Sequence, residues 1–127
     1  MTETERVTVD PVFEAAYEAA QKSLREGGIP IGAALARGGE VIASGHNERV
    51  QNGDPIAHGE MSALRVAGRQ KSYRDMTLYT TLAPCAMCTG TIIQFKIPRV
   101  VVGEAETFPR RIRPSAITWG RSSGLER

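Results

Sequence analysis

The chain has 127 residues, of which 41% are hydrophobic and 24% charged, with a net charge of +2. At that size a single domain buries roughly two-thirds of the surface its unfolded chain exposes, so no disulfide staple is required. No apolar run approaches the roughly 18 residues of a membrane span, and the polar opening MTETERVTVD lacks the basic start and apolar middle of a signal peptide, so the expected location is cytoplasmic.

The first element is an amphipathic helix. Asp10 is placed to cap it and Pro11 to occupy its first turn. Val12, Phe13, Ala16, Tyr17, Ala20 and Leu24 then follow at helical spacing up to Gly27-Gly28. Two short apolar runs come next, Ile31 to Ala36 and Val41 to Ser44, separated by Arg37-Gly38-Gly39-Glu40, a hairpin signal. HGEMSALRVAGRQ returns to helical spacing. DMTLYTTL reads as a strand running into Pro84, and CAMCTGTIIQFK as a helix ending before Ile97-Pro98. RVVVGE is a β-branched run of the kind expected for a strand covered on both faces. The order α, β, β, α, β, α, β, with helices linking the later strands, predicts an α/β layered sandwich.

From residue 110 the character changes. Residues 110–127 carry five arginines against one glutamate, a net +4 that leaves −2 for residues 1–109. By charge the body is excluded as a nucleic-acid-binding surface, and only the tail has the sign for one. The expected division is a core over residues 1–109 and a short basic segment over 110–127, with one strand at 115–120 and a disordered end.

The chemistry is concentrated in PIAHGEMSAL and PCAMC. Cys85 and Cys88 are the only cysteines, three apart at a predicted helix N-terminus, where their sulfurs share one face and the helix dipole and free N–H groups favour thiolates. Alone, such a pair also fits a thioredoxin-like redox site, and a lone histidine at a helix start also fits a cap. Together with His58 the two thiolates make three ligands of the kind zinc prefers. Three protein ligands with a fourth position left for water is the catalytic pattern rather than the structural one. Glu60, two residues beyond His58, does not share its direction on a helix, and so stands beside the metal-bound water rather than in the ligand set. Zinc lowers the pKa of such a water from about 15.7 to roughly 7, and a neighbouring carboxylate can take up its proton and pass it on. His46 is assigned to a turn or to supporting the site rather than to ligation, because a catalytic zinc keeps its fourth position open.

His-x-Glu followed by Pro-Cys-x-x-Cys is the signature of zinc deaminases. On EGGIPIGAAL, GHNERVQNGDPIAHGEMSAL, DMTLYTTLAPCAMCTGTII and IPRVVVGEAETF, which cover most of residues 26–108, the chain resembles the cytidine deaminase-like zinc hydrolases, and among them the fungal-type cytosine deaminases. The resemblance implies a three-layer α/β/α sandwich around a mixed five-stranded sheet, a homodimer, one Zn²⁺ per subunit, and hydrolytic loss of ammonia from a small aminated base, foremost cytosine. It implies His58, Cys85 and Cys88 as ligands, Glu60 as proton shuttle, and Asn47, Gly59 and Phe108 against the base, Asn47 as a hydrogen-bonding anchor and Phe108 as a lid. Guanine, nucleoside and tRNA adenosine deaminases of the same superfamily are the alternatives, together with a catalytically impaired relative. Gly59 in HGE resembles the cytosine enzymes, whereas the tRNA enzymes usually carry alanine there. One departure stands out. Fungal-type cytosine deaminases continue into C-terminal helices that supply a tryptophan lid and an aspartate gripping the base. Here no aspartate follows Asp75, and Trp119 falls in the expected strand.

Overall fold

The computed structural model describes residues 10–103 and the backbone of residues 110–112. In chain order the elements are α1 (Pro11–Arg25), β1 (Gly32–Arg37), β2 (Glu40–His46), α2 (Arg49–Asn52), α3 (Gly59–Ala67), β3 (Met76–Thr80), α4 (Ala86–Gln94), β4 (Arg99–Val102) and β5 (Arg110–Ile112). The strands form one mixed sheet in the order β2-β1-β3-β4-β5. β1 pairs antiparallel with both β2 and β3, β3 runs parallel to β4 through the crossover helix α4, and β5 returns antiparallel to β4. The expected sandwich and five-stranded sheet are present. The fifth strand, however, lies at Arg110–Ile112, at the start of the segment that composition sets apart. The strand expected at 115–120 falls outside the described residues.

Period-two alternation divides the core into two layers. Ala33 and Leu35 of β1, Met76 and Leu78 of β3, and Val100 and Val102 of β4 face α3 and α4, where they meet Ala63, Leu64 and Ile92. The alternate residues Ala34, Ala36, Tyr79 and Val101 face Val12, Phe13 and Ala16 of α1. Both faces of β4 are therefore covered, as its continuous apolar run requires.

Helix α1 starts as its sequence predicts: the Asp10 carboxylate accepts the Val12 N–H at 2.9 Å, with Pro11 in the first turn. Its buried stripe is rotated from the expected one. Val12, Phe13, Ala16, Ala20 and Ser23 are buried, whereas Tyr17 and Leu24 are 53% and 60% exposed. The cause is how closely the helix approaches β1. A Cβ at Gly32 would fall 2.1 Å from the Ala16 carbonyl oxygen, so α1 lies on the sheet through small residues and its large ones flank the contact. Gly45 of β2 sits equally close to the other layer, where a Cβ would lie 2.4 Å from the Ala63 amide nitrogen of α3. These two glycines let helices press on both faces at the end of the sheet where β3 finishes and β1 begins. Thr80, Ala33 and Gly45 are in register there.

Candidate zinc site

Helices α3 and α4 both start at that end. His58 is the N-cap of α3 and Cys85 the N-cap of α4, both with extended backbone and neither making a side-chain capping hydrogen bond. Cys88 follows one turn into α4 and is buried. The geometry brings the three together: His58 Nδ1 is 3.5 Å from Cys85 Sγ and 3.6 Å from Cys88 Sγ, and all three ligand atoms lie within 4.8 Å of one another. A tetrahedral ion with Zn–S near 2.3 Å and Zn–N near 2.0–2.1 Å holds nitrogen and sulfur about 3.6 Å apart. The donors thus already stand at zinc spacing.

Glu60, at the second position of α3, is buried, with Oε1 3.4 Å from Cys88 Sγ and Oε2 3.4 Å from the Thr80 hydroxyl. It stands next to the ligand set, as its spacing from His58 predicts, and is not one of the convergent trio. Burial pushes the Glu60 carboxyl above the usual carboxylate range, opposed by hydrogen bonds from the backbone, Cys88 and Thr80 and by His58. The Cys88 thiol is raised as well, first by burial and then by the neighbouring Glu60 and Cys85. Two sulfurs and a carboxylate therefore crowd one imidazole, and among the described residues no lysine or arginine forms an ion pair with any of them. A divalent cation reverses that balance, since a coordinating thiol deprotonates outright. The donor set and its charge both fit zinc.

The other expected residues divide. Asn47 is buried just after β2, its N–H donating to the Ile31 carbonyl at 2.9 Å and its Oδ1 accepting the Arg49 N–H at 3.0 Å. Its side-chain carbonyl thus starts α2, a short helix that the sequence reading did not separate from the loop. Gly59 opens α3 against β1, where a Cβ would lie 3.3 Å from the Ile31 carbonyl oxygen. Asn47 and Gly59 therefore flank the Ile31-Gly32 backbone. His46 points into a different cluster, 3.0 Å from Glu26 and 3.8 Å from Glu48. Phe108 lies outside the described residues.

Residues 8–104 match the family described as the cytidine and deoxycytidylate deaminase zinc-binding region. The chain belongs to that family. This deaminase-family chain is 51% identical over 99 residues to the cytosine deaminase of Candida albicans, covering 76% of itself and 66% of that protein. It is 40% identical over 94 residues to a tRNA-specific adenosine deaminase of Streptococcus pyogenes, covering 72% of itself and 59% of the relative. The chain thus spans less than two-thirds of either relative's length. Among solved structures, a guanine deaminase from Bacillus subtilis superposes with a TM-score of 0.66 at 33% identity, covering 74% of this chain and 62% of that one. The family's zinc-binding region contains the His58, Cys85 and Cys88 trio.

Two buried hydroxyls next to the site escaped the sequence reading, Thr80 beneath Glu60 and Ser23 beneath Asn47. Ser23 donates to the Asn47 carbonyl at 2.7 Å. Each occupies a core-facing position in its element, where a buried hydroxyl needs a partner. That was the signal available.

Proposed function

We propose that the chain is a zinc-dependent hydrolytic deaminase of a small aminated base, with cytosine, converted to uracil and ammonia, as the first candidate. The observation that carries this is the trio of His58 Nδ1, Cys85 Sγ and Cys88 Sγ at zinc spacing with a buried carboxylate 3.4 Å from one of its sulfurs. Held by His58, Cys85 and Cys88, zinc would supply an activated water and Lewis-acid stabilisation of the attack. Glu60 takes up a proton of the attacking water and delivers it to the ring nitrogen, then moves the proton of the added hydroxyl to the amino group, so that the C–N bond breaks, the carbonyl forms and ammonia leaves. Its burial suits the task, because desolvation disfavours the charged form and makes the carboxylate a stronger proton acceptor than an exposed one. Asn47 orients the base through its side-chain amide, whose carbonyl is already held by the Arg49 N–H. Gly59 lets the ring approach the start of α3, and Phe108 covers it.

Cytosine is favoured by the higher identity to the Candida enzyme and by Gly59 in the HGE triplet. The likeness to guanine and tRNA adenosine deaminases supports the reaction class equally and the pyrimidine less. The reading also includes a cytoplasmic location, and among the described residues no helix is long and apolar enough to cross a membrane. A homodimer would cover the open groove of about 510 Å³ between α3 and α4, where Met61, Tyr73 and Phe95 are found. The deciding experiment is ammonia release by zinc-loaded protein from cytosine, 5-substituted cytosines, cytidine, guanine and adenine. Cytosine turning over fastest is the expected result. Guanine turning over fastest would replace the substrate and keep the class, and no ammonia from any of them would overturn the class.

A further inference from the structure

Thr80 ends β3 with its side chain fully buried on the α3–α4 face, two residues beyond Leu78. Its hydroxyl lies 3.4 Å from Glu60 Oε2 and 2.9 Å from the Leu82 carbonyl oxygen, and it accepts the Leu82 N–H at 3.4 Å. The other carboxylate oxygen, Oε1, faces Cys88 Sγ. The two oxygens of Glu60 are thus held apart, one against a zinc ligand and one against the sheet.

We propose that Thr80 is a positioning residue that fixes the carboxylate of Glu60 for proton transfer, an inference that rests on the reading of Glu60 as the proton carrier. Helix α3 fixes only the backbone of Glu60. The terminal torsion of a glutamate is broad, so the carboxylate plane needs a partner to set it. Catalytic groups must be held within about 0.5 Å of their productive geometry by neighbours that are themselves locked. Thr80 meets that condition: it is β-branched, sits mid-sheet between β1 and β4, and its hydroxyl oxygen accepts the Leu82 N–H, which leaves its one hydrogen to alternate between Glu60 and the Leu82 carbonyl. A hydroxyl also suits a group that takes up and hands on a proton. It has one hydrogen and free rotation, so it donates to a carboxylate or, by turning that hydrogen to the Leu82 carbonyl, accepts from the acid. Leu82 lies three residues before Cys85, so the same hydroxyl links the shuttle to the turn that delivers the thiolates.

The test compares Thr80→Val, which keeps the shape and removes the hydroxyl, with Thr80→Ser, which keeps the hydroxyl. Both are zinc-loaded and assayed on whichever base releases ammonia fastest. Thr80→Val is expected to keep its zinc and its calorimetric affinity for the deaminated product, while kcat falls about 10²-fold and KM stays within about threefold. Thr80→Ser should recover kcat to within about threefold of the parent. A Val variant with parental kcat, or a Ser variant as slow as Val, overturns the proposal. If Val compromises folding or zinc content, Ser against Thr80→Ala carries the same comparison, and equal kcat in those two is the overturning result. Glu60→Gln run alongside separates the two ideas. Turnover retained there removes the Glu60 reading itself, whereas an inactive Glu60→Gln beside a fully active Thr80→Val removes only the role of Thr80.

Discussion

The N-terminus of α1 and those of α3 and α4 solve the same problem differently. Each helix begins with free N–H groups and a residue in extended conformation at the N-cap. In α1 that residue is Asp10, whose carboxylate returns to the Val12 N–H at 2.9 Å. In α3 and α4 it is His58 and Cys85, and neither side chain caps its own helix. Instead they turn toward each other and toward Cys88. An N-cap is the position from which a side chain can lean over the end of its helix, so two such positions facing each other make a ready metal-ligand pair. The sacrifice is about 0.5–2 kcal/mol per missing cap. Zinc binding offsets it, because ligand affinity for the folded state adds directly to stability. The start of α1 is therefore capped by the chain itself, and the starts of α3 and α4 gain their compensation only with the metal.

The largest expected effect comes from breaking the site side of that contrast. Cys88→Ala should lose the zinc, lose turnover, and melt at the temperature of the metal-free parent, because its sulfur is the buried ligand, 3.6 Å from the imidazole and 3.4 Å from Glu60. Metal analysis and thermal melts with and without chelator check this. Full zinc occupancy in the variant would sink the ligand assignment.

Glu60→Gln leaves the ligands and removes the proton carrier. Zinc should remain and kcat should fall about 10²–10⁴-fold, the usual worth of general acid–base catalysis. The metal-free protein supplies a second reading. Burial raises the folded-state pKa of Glu60, so the folded chain binds that proton more tightly than the unfolded one. Stability linked to Glu60 is then complete below the ordinary carboxylate range and is lost as pH rises through the raised value. Glutamine lacks that dependence. The variant should therefore gain stability relative to the parent as pH rises, and denaturant melts across pH measure it. A constant difference at all pH values would mean that the carboxylate is not desolvated.

How much of this was legible follows from where each signal resides. The site was readable because zinc chemistry demands particular residue types at short spacings, and His58, Glu60, Cys85 and Cys88 all lie in two local stretches. The cap of α1 was equally local. The rotation of α1 was not, since it depends on Gly32 admitting the helix backbone, a contact between residues 16 apart in sequence. Large apolar residues such as Tyr17 and Leu24 then lost to small ones. Hydrophobicity resumes only at SAITWG, which lies outside the described residues, whereas the strand that pairs with β4 falls earlier, on Arg110–Ile112. An arginine-rich segment carries little hydrophobic pattern, and sheet pairing is made by the backbone. Thr80 was hidden for a related reason: its parity placed it in the core, but only the fold shows that its neighbour there is a carboxylate.

The smallest expected effect sharpens the contrast from the other side. Asp10→Ala removes the cap of α1 and touches nothing near the zinc ligands. A lost N-cap typically costs about 1 kcal/mol. For a domain of this size that lowers the melting temperature by about 3–6 °C. Because the hydrogen bond belongs to α1 alone, the drop should be the same with and without zinc, and zinc content and kcat should not change. Addition of zinc should likewise raise the melting temperature of Asp10→Ala by as much as it raises that of the parent, since distant and independent contributions add. A thermal-shift series at fixed zinc activity checks both statements. If Asp10→Ala instead weakened zinc binding, the cap and the site would be coupled through α1, whose Ser23 already holds the carbonyl of Asn47. The caps of α1 and of the site helices would then be parts of one cooperative unit, and the division between a self-capped helix and metal-dependent ones would not hold.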